Sequence, residues 1–105
     1  MNALYESKPT VKSLGGRYII YQDRIELKHP IFPNLIIKKE ELISIKEFSY
    51  FVTRSIKGSL SLKLDLADLN EHVGIERKNG LFKNLRFTPE NPKEFVSKVK
   101  EIFNI

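Results

Sequence analysis

The residues with the most chemistry to offer are two histidines, His29 and His72. Imidazoles at the right spacing hold a metal or relay a proton, but neither has a second histidine two or four positions away. His29 precedes Pro30 and His72 follows Glu71, so both are expected as surface residues at strand ends. Glu40 and Glu41 form the one adjacent carboxylate pair in a turn-like stretch, directly after Lys38 and Lys39. The lysines would keep both ionised, which favours a solvated turn over a general acid and base. Ser44, Ser49, Ser55, Ser59 and Ser61 lack the glycine pattern of a nucleophile elbow and have no histidine near them in sequence. Gly15-Gly16 and Asn79-Gly80 are turn glycines with no helix start behind them, so they do not make a phosphate cradle. The expectation is a chain with no catalytic set, no metal set and no cofactor.

Surface features are sharper. Arg77-Lys78-Asn79-Gly80-Leu81-Phe82-Lys83 reads as a hairpin tip that sets Leu81 and Phe82 between Arg77, Lys78 and Lys83. Exposed together, these residues would touch an anionic bilayer; the competing reading folds Phe82 back into the core. Tyr50-Phe51-Val52 beside Arg54 and Lys57 could stack nucleic-acid bases, but core packing or a subunit contact is the commoner use of such a run. A third feature is an unblocked sheet edge. Pro30, Pro33, Lys38 and Lys39 look like protection for one edge, leaving another for a partner peptide or a second copy.

Composition sets the frame for these features. The chain has 105 residues, enough for one domain with its own core. It has no cysteine, so disulfide and thiolate chemistry are excluded. Net charge is +5, but unevenly placed: ten Lys/Arg face six Asp/Glu in residues 1–57, one faces four in 58–76, and seven face three in 77–105. No apolar run approaches the ~20 residues of a membrane-spanning helix, and the first residues do not read as a signal peptide. A cytoplasmic location is the default expectation, with the periphery of a membrane as the alternative.

Patterning predicts strands followed by one helix. Residues 1–15 form an N-terminal arm without clear period, able to pack through Tyr5, Val11 or Leu14 or to fray. Seven strands are expected near 17–21, 24–29, 35–38, 42–48, 60–66, 72–78 and 81–88. Ile43 and Ile45 should share a buried face, as should Val73 with Ile75 and Leu85 with Phe87. Leu60, Leu62, Leu64 and Leu66 give the cleanest alternation in the chain. A helix over 40–52 is the alternative, which the β-branched Ile43, Ile45 and Val52 disfavour. Phe95, Val96, Val99, Ile102 and Phe103 then share one helical face. Asn91 suits the N-cap, Pro92 the first turn, and Glu94 the carboxylate of a capping box.

The hairpin Arg17-Tyr18-Ile19-Ile20-Tyr21-Gln22-Asp23-Arg24-Ile25-Glu26 and the run Phe87-Thr88-Pro89-Glu90-Asn91-Pro92 into Phe95 resemble the small bacterial pleckstrin-homology (PH)-like domains. The resemblance covers residues 16–105 and implies a mainly β fold: a PH-like barrel of about seven antiparallel strands capped by a C-terminal helix. It departs from phosphoinositide-binding members, whose first loop is long and basic, because here that loop is Gln22-Asp23. The inositol-phosphate site therefore does not transfer. The helix also lacks the tryptophan of many members, a place left to Phe95 or Phe103. What the resemblance implies is a non-catalytic module for protein interaction or assembly, with no small-molecule substrate and nucleic acid as a distant third. The alternative is a peripheral module that binds an anionic membrane surface through the 77–83 tip.

Overall fold

The computed structural model describes residues 2–31, 33–48, 61–65, 71–78, 80 and 83–105. The described elements are mainly β: strands β1 (Tyr5–Ser7), β2 (Arg17–Ile20), β3 (Arg24–Lys28), β4 (Leu35–Lys38), β5 (Leu42–Phe48), β6 (Ser61–Lys63), β7 (His72–Arg77) and β8 (Asn84–Phe87), then helix α1 (Pro92–Phe103). They form two four-stranded sheets, ordered β1-β2-β3-β4 and β5-β7-β8-β6.

Among the described residues no ladder joins the two sheets, so no closed barrel is found. Prolines at 30 and 33 withhold amide donors just before β4, and a 3-10 turn at Lys39–Glu41 separates β4 from β5. The strands are also not all antiparallel, because β6 runs parallel to β8. Topology explains why. The chain leaves β6 for β7 with one strand position open between them, and β8 fills it. β6 and β7 run in opposite directions, so β8, antiparallel to β7, lies parallel to β6. Part of the N-terminal arm is a strand: Tyr5, Glu6 and Ser7 pair with Ile20, Ile19 and Tyr18.

Burial alternates along β3, whereas β2, β7 and β8 are each buried over three or more consecutive residues. Tyr18, Ile20, Ile25, Leu27 and Ile37 from the first sheet meet Ile45, Leu64, Val73, Ile75, Leu85 and Phe87 from the second. Strand β5 departs from expectation. A bulge between Leu42 and Ser44 shifts the pairing to β7 by one residue, so Ile43 is half-exposed while Ile45 is buried. An extra residue at a bulge reverses which face each later side chain takes. The described part of 40–52 is thus strand after a 3-10 turn, and residues 49–52 lie outside the described residues. Of the leucine alternation, Leu62 packs against the core and Leu64 is buried, with Leu60 and Leu66 outside the described residues.

Helix α1 closes the core with Phe95, Val99 and Phe103, all buried, while Val96 and Ile102 pack at its margin. Phe95 meets Phe87 edge-on at 5.4 Å between ring centroids, and Phe87 in turn meets Tyr18 at 4.7 Å. The Asn91 side chain accepts from the Glu94 amide at 3.1 Å, as an N-cap should. The other half of the expected capping box is absent: Glu94 Oε1 accepts instead from the Tyr5 hydroxyl at 2.7 Å. The carboxylate that would cap its own helix ties β1 to it. Among the described residues no helix is long and apolar enough to cross a membrane.

Candidate functional site

Both histidines are buried, against the expectation of surface strand ends. His72 opens β7, one of the two strands flanked on both sides in its sheet, and its ring stacks on Phe48 of β5 at 5.7 Å and 21°. His29 lies at the end of β3 where Pro30 turns the chain, and its Nδ1 accepts from the Ile31 amide at 3.2 Å. The sequence could not show either burial, because strand ends are exposed or covered according to what packs over them. Among the described residues no group of three His, Asp or Glu side chains converges to hold a metal.

The expected hairpin tip is split. Arg77 is nearly buried, its guanidinium folded under Gly80, which takes φ of +104°. Lys78 and Lys83 are exposed, whereas Leu81 and Phe82 lie outside the described residues. Backbone bonds place this tip in company: the Lys78 amide donates to Glu41 O at 2.8 Å, and the Lys39 amide to Asp23 O at 2.9 Å. The lysines at 78 and 83 therefore share an end of the molecule with Asp23, Glu40 and Glu41. The Tyr50-Phe51-Val52 cluster with Arg54 and Lys57 also falls outside the described residues.

Two arrangements that sequence reasoning missed stand out. On the outer face of the second sheet, the Arg86 guanidinium lies 4.1 Å from the centre of the Phe48 ring. Both cross Gly74, where even a Cβ would come within 2.6 Å of the Phe48 ring. A cation over an aromatic face is attracted by the ring quadrupole, and glycine is the residue that lets both lie flat. Beside this pair is a groove of about 270 Å³ lined by Ser44, Lys46, Phe48, Gly74, Glu76 and Arg86, among others. Next to it, β5 has β7 on one side and, among the described residues, no strand on the other. Glu47 of β5 turns toward the Ile45 side, and its Oε2 is buried without a hydrogen-bond donor among the described residues.

The second arrangement centres on Asp65. Its Oδ2 accepts from the Tyr18 hydroxyl at 2.5 Å and from the Thr88 amide at 2.6 Å, while Oδ1 accepts from Thr88 Oγ1 at 2.8 Å. Burial pushes the Asp65 carboxyl above the ordinary carboxylate range; those donors and the nearby His29 charge oppose the shift without cancelling it. Burial, then the Asp65 charge, raise the Tyr18 hydroxyl well above its ordinary value, so it stays protonated as a donor. Chemically this is a strut between β2, the end of β6 and the start of the linker to α1. Asp65 lies in a leucine-rich run whose alternation advertises only its apolar half. No family model, curated protein or solved structure matches the chain.

Proposed function

We propose that the chain is a non-catalytic interaction module of PH-like build that holds an extended segment of a partner protein along β5. The observation that carries this reading is an edge strand with an acceptor awaiting a donor: Glu47 Oε2 is buried on β5 and receives no hydrogen bond among the described residues. A buried acceptor without a donor is costly, so a partner that supplies one gains affinity from the completed bond. Strand addition supplies backbone bonds generically, and a lysine or arginine of the added segment would meet Glu47 specifically. The neighbouring groove, with Lys46 and Glu76 on its walls, accommodates polar side chains from the same segment. The PH-like reading draws support from the strand succession and the C-terminal helix packed on the core among the described residues.

The test is selection from a displayed library of random peptides against the purified chain. Selected peptides should carry a basic residue, slow hydrogen exchange along Leu42–Phe48 when bound, and lose about tenfold in affinity to Glu47→Gln. Peptides indifferent to Glu47→Gln that protect another strand instead would overturn the reading.

A further inference from the structure

Among the described residues, the two most exposed large apolar side chains lie at the end of the molecule away from the 77–83 tip. Val11 is 86% exposed and Ile31 is 77% exposed, on two different loops. The loops touch. Leu14 donates its amide to Val11 O at 3.1 Å, and the next residue, Gly15, sits against the Pro30 ring, immediately before Ile31. Val11, Leu14, Pro30 and Ile31 thus belong to one projecting tip.

The tip is held in shape rather than loose. Thr10 and Ser13 cap one another, with the Thr10 amide on Ser13 Oγ at 3.0 Å and the Ser13 amide on Thr10 Oγ1 at 3.1 Å. Ser13 Oγ also donates to Gly16 O at 3.1 Å. Within this turn Leu14 has φ of +52°, a left-handed backbone that a branched side chain adopts only under strain. Glycine would serve the backbone better there, yet the position carries a partly exposed leucine.

Charge says what the tip fits. The described residues of segments 8–16 and 29–34 carry exposed Lys8 and Lys12 and no carboxylate. Glu90 flanks one side, with its Oε1 taken by the Lys8 amide at 2.8 Å. By contrast, the 77–83 end keeps Asp23, Glu40 and Glu41 beside its lysines. We infer that the Val11, Leu14 and Ile31 tip, with Lys8 and Lys12, docks on an anionic lipid surface. The apolar side chains enter the interfacial layer and the ammonium groups meet the headgroups. This surface is separate from β5, and no headgroup pocket is involved.

Sedimentation with phosphatidylcholine vesicles, with and without phosphatidylserine, tests the inference. The intact chain should pellet only with the phosphatidylserine vesicles. Replacing Lys8 and Lys12 by alanine should weaken binding by about fivefold for each lysine, and Val11→Asp or Ile31→Asp by about tenfold. Leu14→Gly, which relieves the strained backbone, should weaken binding while the far-UV circular dichroism is retained. Lys78→Ala with Lys83→Ala should leave binding unchanged. The chain has no tryptophan, so Ile31→Trp gives a single reporter whose emission should shift to the blue on binding. Failure of the intact chain to pellet, binding indifferent to Val11→Asp and Ile31→Asp, or an unshifted reporter would each overturn the inference. None of these results bears on peptide binding along β5.

Discussion

The Tyr18 hydroxyl donates to Asp65 Oδ2 at 2.5 Å across 47 residues of chain, joining the first sheet to the exit of β6. Because Thr88 gives two further bonds to the same carboxylate, one part-buried acidic group fixes the spacing of three segments. Removing the Tyr18 hydroxyl should therefore cost more than a surface hydrogen bond. Tyr18→Phe is expected to lower stability by about 1–3 kcal/mol, since it leaves a part-buried carboxylate with one donor fewer. Urea denaturation followed by circular dichroism measures this. A midpoint unchanged from the intact chain would show that the strut carries no load.

The same carboxylate gives stability a pH dependence of definite sign. Burial raises the folded-state value of Asp65 above its unfolded one, so the folded chain binds the proton more tightly. Its contribution is fully present below the unfolded value, about 3.9, and declines as pH rises through the folded value. Asp65→Asn cannot titrate. The stability of the intact chain relative to Asp65→Asn should therefore fall as pH increases across that window, as read from urea midpoints at stepped pH. A constant difference between the two chains would contradict the burial argument.

Gly74 is expected to resist substitution although it lies mid-strand. A Cβ there would approach the Phe48 ring to 2.6 Å and the Arg86 guanidinium to 2.7 Å. Gly74→Ala should cost about 1–3 kcal/mol, despite alanine's smaller loss of backbone entropy on folding. A thermal melt of the variant tests this, and an unshifted or higher midpoint would count against the packed Phe48 and Arg86 pair.

The bulge in β5 predicts opposite responses at two similar isoleucines. Ile45→Ser should destabilise the fold by about 2–5 kcal/mol, because its side chain is removed from the core. Ile43→Ser should change stability by about 0.5 kcal/mol or less, since its side chain is half in solvent already. Comparable losses at both positions would mean that the two share a buried face after all.

At the helix start, Asn91→Ala should cost about 1 kcal/mol by removing the acceptor of the Glu94 amide. Tyr5→Phe removes a bond to an exposed carboxylate and should cost less than Tyr18→Phe. Urea midpoints of the three variants give the ranking directly.

Sequence by itself settled what depends on near neighbours. Alternation placed Val73, Ile75, Leu85 and Phe87 on core faces. The helix over 92–103, its Asn91 cap and its Phe95, Val99 and Phe103 face were likewise readable, since side chains three and four apart must share one side. What only tertiary structure decided involves groups far apart in the chain. The parallel course of β6, the lack of a ladder between the two sheets among the described residues and the bulge at Ile43 depend on which strand lies beside which, and period-two pattern is blind to that. The burial of His29 and His72, the diversion of Glu94 to Tyr5, and the meeting of Asp65 with Tyr18 and Thr88 depend on neighbours supplied by other segments. A side chain's type states which bonds it is able to make; the packing around it selects which one forms.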